Sequence, residues 1–199
     1  MGYTHYWYRP ENLDPSRFKL AVDDCKKICD VLPIPLGDGQ GENEPIFRDT
    51  SICFNGLVHS EGLAKADISL PWPATKRSEG IGNIGEDPRN GNWFAGDLLD
   101  SRCCNDNGDG SYETFGIDLT IKHPEYQNDR KDGFVFDCCK TAFRPYDLNV
   151  QCCLIVFKNY FRQDFIVRSD GEAENWNEAR DICQHVVGYG LEFELDKDF

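Results

Sequence analysis

Apolar side chains recur at helical spacing in two long stretches of this chain, and those stretches are the first elements the sequence predicts. From Phe18 onward, Ala21, Val22, Cys25, Ile28, Cys29 and Leu32 fall on one face of a helical period. Asp14 precedes Pro15, the pattern of an N-cap followed by proline in the first turn, and Pro33 ends the run. The spacing predicts an amphipathic helix over about 14–32. Near the other end Trp176, Ala179, Ile182, Cys183, Val186 and Val187 predict a helix over about 172–187, with Gly188 as its stop. Between them, "DLNVQCCLIVFKNYF" at 147–161 is apolar nearly all round. A helix of that composition must be covered on most faces, so it is predicted to run through the core.

Runs rich in aromatic and β-branched residues supply the strands. They are "YTHYWYR" (3–9), "TSICFNG" (50–56), "YETFGIDLTI" (112–121), "GFVFD" (133–137) and "DFIVRSD" (164–170). The second is expected to end in a turn at Asn55-Gly56. Residues 57–100 break the pattern: glycine and proline are frequent, Trp72 and Trp93 are isolated, and no period is sustained. The order of elements predicts one α+β domain over residues 1–199, a mostly antiparallel sheet packed by about three helices. The stretch 57–100 is predicted as a long irregular insertion.

Charge narrows the partners. With 35 acidic against 21 basic residues the net charge is -14, which disfavours direct binding to nucleic acid or an anionic membrane surface. The last stretch, 170–199, holds nine acids and two bases. Solubility is the ordinary use of such a surface, and mimicry of nucleic acid toward a basic protein is the sharper one. Ten cysteines are present, six of them as the neighbours Cys103-Cys104, Cys138-Cys139 and Cys152-Cys153. Adjacent side chains on a strand point to opposite faces, so such pairs do not read as a disulfide framework. The chain opens with no signal-peptide pattern, and no apolar run reaches the ~20 residues of a membrane span. These features predict a reduced, cytoplasmic protein with free thiols.

No cofactor or metal is expected. There is no C-x-x-C pair, phosphate-binding loop or dinucleotide fingerprint. "NDNGDGSYE" (105–113) has the density of a calcium loop, but its first position is Asn105, not aspartate, and its twelfth is Gly116. A hairpin turn is the simpler reading. His5, His59, His123 and His185 show no ligand spacing.

The segment "FDCCKTAFRPYDLN" (136–149) is where polar chemistry interrupts the apolar pattern. Asp147 is expected to cap the helix that follows Pro145, which places Lys140 and Arg144 just ahead of a helix N-terminus. Tyr3, His5 and Trp7 share one face of the first strand by the period-two rule. The candidate ligand site is therefore Tyr3, His5, Trp7, Glu113, Lys140, Thr141, Arg144, Tyr146, Asp147 and Asn149. Lys140 and Arg144 are expected to face a shared concavity with the first strand, with salt bridges to carboxylates such as Glu113 as the alternative.

The segments "MGYTHYW", "FNG", an E-x-F at 113–115, "CKTAFRPYD" and "VRSDG" together resemble an uncharacterised protein family found in phages and bacteria. The resemblance implies a phage or prophage setting and assigns no catalytic residue. Three functional readings stand side by side. The leading one is a non-enzymatic binding protein that sequesters a small, nucleotide-like anion, as in counter-defence, with a homo-oligomer left open. The second is an acidic interaction protein, either a virion component or an inhibitor of a basic host protein. The third is a small hydrolase using His5 with Glu113 or Asp147.

Overall fold

The computed structural model describes residues 3–58, 102, 109–121 and 133–197. In chain order the elements are β1 (Thr4–Pro10), α1 (Pro15–Val31), β2 (Leu36–Gly37), β3 (Ile46–Arg48), β4 (Ser51–Gly56), β5 (Phe115–Asp118), β6 (Phe134–Lys140), α2 (Asp147–Phe161), β7 (Ile166–Ser169) and α3 (Asn177–Val187). All strand pairings among the described residues are antiparallel. The α+β architecture expected from the sequence is what the chain adopts, with three α-helices in the predicted places. Among the described residues no helix is long and apolar enough to cross a membrane.

β1 is the centre of a three-stranded sheet in the order β6-β1-β7. Its alternation is complete: Tyr3, His5, Trp7 and Arg9 are buried, while Thr4, Tyr6 and Tyr8 are half-buried on the outer face. In the register with β6, Thr4 faces Lys140 and His5 faces Cys139. Directly opposed residues share a face, so Lys140 belongs to the outer side and His5 to the inner. A second sheet is built around β4, with β5 along one side and β2 and β3 along the other.

The inner faces are closed by the helices. The Asp14 carboxylate caps α1 by accepting from the Arg17 N–H at 2.9 Å. α2 is buried without a break from Asp147 to Phe157 and packs against α1 and α3, as its all-round apolar pattern requires. Phe157 sits among Phe18, Phe161 and Phe165 at 5.5–6.0 Å between ring centres. The eight described cysteines are free, and Cys25, Cys29, Cys139, Cys152, Cys153 and Cys183 lie in this core as small apolar groups. Burial lifts the Cys25 thiol to about 11, so it stays protonated at physiological pH.

Three local expectations are corrected. The sequence reading missed β2 and β3, which are two and three residues long and too short to carry a period. Asn55-Gly56 does not turn: both residues lie in β4, paired with β2. Glycine is needed there because a Cβ at 56 would come within 2.0 Å of the Gly110 carbonyl oxygen, and Gly110 itself donates to the Leu57 carbonyl at 2.9 Å. Asn55 is instead a buried tie. Its amide donates to the carbonyls of Tyr112 and Gly39 and accepts from the N–H groups of Gly56 and Tyr112. Asp147 does not cap α2 either; Tyr146 occupies the cap position and no side chain bonds there. The insertion predicted at 57–100 lies outside the described residues beyond 57–58, as do His59, His123 and Cys103-Cys104.

Candidate functional site

Where β1, β7 and the start of α2 meet, the core holds a cluster of polar side chains instead of apolar ones. Asp147 is at its middle, fully buried on the first turn of α2. Its Oδ1 accepts from the His5 ring Nε2 at 2.8 Å and from the Thr141 hydroxyl at 2.5 Å, and its Oδ2 accepts from Arg102 Nε at 3.0 Å. Arg102 is 2 % exposed and also donates to Glu178 at 2.5 Å and to Gln151 Oε1 at 2.8 Å. Gln151 in turn donates to the Tyr3 hydroxyl and to the Asn175 carbonyl. On the other side of the imidazole, His5 Nδ1 lies 3.0 Å from Ser169 Oγ, at the end of β7.

The ionisation of Asp147 follows from those partners. Burial alone would raise its pKa, but the charge and hydrogen bond of His5, the Arg102 guanidinium and the Thr141 hydroxyl outweigh it and hold the carboxyl down at about 2. Burial works against the charge on Arg102 as well. The carboxylates of Glu178 and Asp147 overcome it and raise its pKa above the ordinary range. Tyr3 goes the other way: burial first, and then the Asp147 charge, push its hydroxyl far up and keep it neutral.

Two geometric details frame Ser169. Gly171 N–H donates to Ser169 Oγ at 3.0 Å, and a Cβ on Gly171 would lie 2.2 Å from the Tyr3 hydroxyl, so this turn is laid directly on the Tyr3 ring. Just after β6, Ala142 and Phe143 are both left-handed, at φ 50° and 56°, which costs non-glycine residues ~1–2 kcal/mol each. The bend is held because the N–H groups of Thr141 and Ala142 both donate to the Tyr3 carbonyl and the Phe143 ring stacks on Tyr3 at 3.8 Å. Backbone strain maintained beside a polar cluster is a common mark of a working site.

The residues singled out from sequence separate into groups. Tyr3, His5, Thr141 and Asp147 converge in the cluster. Trp7 is on the same face but packs on Phe115 in the apolar core, 5.5 Å between ring centres. Asn149 is fully buried; its amide makes no hydrogen bond to nitrogen or oxygen and lies against the Cys29 thiol. Tyr146 is buried and donates to the Glu113 carbonyl at 2.7 Å. Lys140 is on the outer face, its ammonium 5.4 Å from the centre of the Tyr112 ring. The Glu113 carboxylate is bonded not by that ammonium but by the Lys140 backbone N–H, at 2.7 Å. Arg144 is half-buried in the strained bend. The face of Tyr3, His5 and Trp7 is covered by the chain's own core, and Lys140 is turned away from it.

Sequence reasoning did not find Arg102, Gln151, Ser169 or Glu178. Glu178 had a signal, being a charge in phase with Ile182 on the inward face of α3. Gln151 had a weaker one, as a polar residue inside an apolar run. Arg102 had none, since it follows a stretch without period. Among the described residues no group of three or more histidine, cysteine or carboxylate side chains is arranged to hold a metal ion. No family model matches the chain, nor does any curated protein or solved structure.

Proposed function

We propose that the protein is a small hydrolase in which Ser169 is the nucleophile, His5 its general base and Asp147 the group that orients and stabilises His5. One observation carries the reading: Ser169 Oγ, the His5 ring and the Asp147 carboxylate form a continuous chain at 3.0 and 2.8 Å. An ionised Asp147 can only accept, so the hydrogen between it and His5 belongs to Nε2. In the neutral imidazole the lone pair of Nδ1 then faces the Ser169 hydroxyl. That is the arrangement in which a serine proton has somewhere to go.

The chemistry follows from the placement. Ser169 Oγ attacks an acyl carbon and its proton passes to Nδ1, leaving an imidazolium whose charge Asp147 stabilises. The imidazolium returns the proton to the leaving group, and an acyl-serine remains. Water then repeats the sequence, with His5 again as base, and releases the acid. His5 and Asp147 are fully buried, while Ser169 is partly exposed, so the substrate meets the chain at its nucleophilic end. The Gly171 N–H donates to Ser169 Oγ and helps hold that oxygen in place.

The test is turnover of a panel of activated esters, thioesters and amides by the wild type and by Ser169→Ala. Turnover by the wild type that Ser169→Ala loses supports the proposal. Equal rates in the two proteins would refute it. The competing reading, sequestration of a small anion by Lys140 and Arg144, rests on charge and sequence position. It predicts saturable binding of a nucleotide that is recovered unchanged.

A further inference from the structure

We infer that Arg102 is the positioning residue for this chain of groups: it fixes which way the Asp147 carboxylate faces and thereby which nitrogen of His5 is left free for Ser169. The inference rests on the hydrolase reading only for its effect on rate; the effect on His5 stands on the geometry alone.

A carboxylate can rotate about its bond to Cβ, and an isolated imidazole exchanges its hydrogen between two nitrogens. Neither freedom remains here. The guanidinium is held at three points in one plane, with Nε on Asp147 Oδ2, one terminal nitrogen on Glu178 and the other on Gln151. Gln151 is locked from behind by its own bonds to Tyr3 and Asn175. A fork anchored in this way sets the direction of Oδ2, and with it the direction of Oδ1. Oδ1 then has two lone pairs, one taken by the Thr141 hydroxyl and one by His5 Nε2. The single ring hydrogen of neutral His5 is therefore confined to Nε2.

Lysine could supply the charge at position 102 but not the function. Its ammonium is a point charge on a flexible stem, without the planar donors that hold Asp147, Glu178 and Gln151 at once. Arg102 also comes from a part of the chain far from β1, α2 and β7, so the alignment of Ser169 and His5 depends on this distant residue being seated.

Heteronuclear NMR of the His5 ring nitrogens tests the inference without requiring any activity. With the ring neutral we expect hydrogen on Nε2 and none on Nδ1 in the wild type; a neutral ring with its hydrogen on Nδ1 would overturn the proposal even if no variant can be made. In Arg102→Lys, shown to be folded by circular dichroism, we expect exchange between the two tautomers. Phosphonylation of Ser169 by a fluorophosphonate reagent, in which Oγ displaces fluoride from phosphorus, should also slow by about a hundredfold, the usual effect of misplacing a reacting group by an ångström or so. A folded Arg102→Lys with a wild-type ring spectrum and a wild-type phosphonylation rate would show Arg102 to be structural only. If Ser169 is never phosphonylated but the ring spectrum changes as stated, the hydrolase reading fails and the positioning role of Arg102 stands.

Discussion

Replacing Asp147 by asparagine is the perturbation whose size the structure sets best. The variant keeps the shape of the side chain but removes a charge that three groups approach. Breaking a buried ionic contact from one side costs ~3–5 kcal/mol, because the partner is left uncompensated. Arg102 retains Glu178 and Gln151, so the lower end applies and we expect a loss of about 3 kcal/mol. The depressed ionisation of Asp147 sets the size expected in acid. A carboxyl that ionises at about 2 in the folded chain, against an ordinary 3.8, contributes about 2 kcal/mol. Because the folded value is the depressed one, that stability is present above the unfolded value and is lost as pH falls from about 4 to about 2. The assay is urea denaturation of the wild type and Asp147→Asn across that window. The wild type should lose about 2 kcal/mol there beyond what the variant loses. Two curves within about 1 kcal/mol of each other, with the same acid dependence, would refute the ionised, triply bonded Asp147.

Three further outcomes are expected. Asn55→Ala leaves the paired groups of Gly39, Gly56 and Tyr112 without their partner and should cost ~2–4 kcal/mol by chemical denaturation; a loss under about 1 kcal/mol would mean that water replaces the amide. Gly171→Ala forces the Tyr3 hydroxyl aside and should cost ~1–3 kcal/mol, with part recovered in the double variant Tyr3→Phe/Gly171→Ala; strict additivity would contradict the close approach. Among the eight described cysteines, a thiol reagent should modify Cys53 and Cys138 in the native protein and reach the six buried ones only on unfolding, and rapid native modification of any of those six would count against the core described here.

Periodicity located what it is able to locate. The face of α1 from Phe18 to Leu32 and the all-round burial of α2 follow from apolar spacing, since helices of that length must cover a definite face. The same reasoning named Tyr3 and His5 as sharing a face with Trp7 and placed Asp147 at the head of α2. It misjudged what those residues do. Capping is the common role of an aspartate before an apolar helix, but Asp147 is displaced into the core by the attraction of His5 and Arg102. Neither of these partners is near it in sequence, and pairing at that distance leaves no periodic trace. Asn55-Gly56 misled for a related reason. The dipeptide is a strong local turn signal, yet its glycine is required by the approach of Gly110, a tertiary contact. Ser169 is the clearest case. Within "DFIVRSD" it is one more strand-end residue, and its significance comes only from the register that sets it opposite His5.

The most direct test of the central claim is to treat the native protein with a fluorophosphonate reagent and map the modified peptide by mass spectrometry. The account predicts a single adduct on Ser169 that is absent from Ser169→Ala and is suppressed in Asp147→Asn. A native, folded protein that takes up no reagent, or takes it up at another residue, would contradict it.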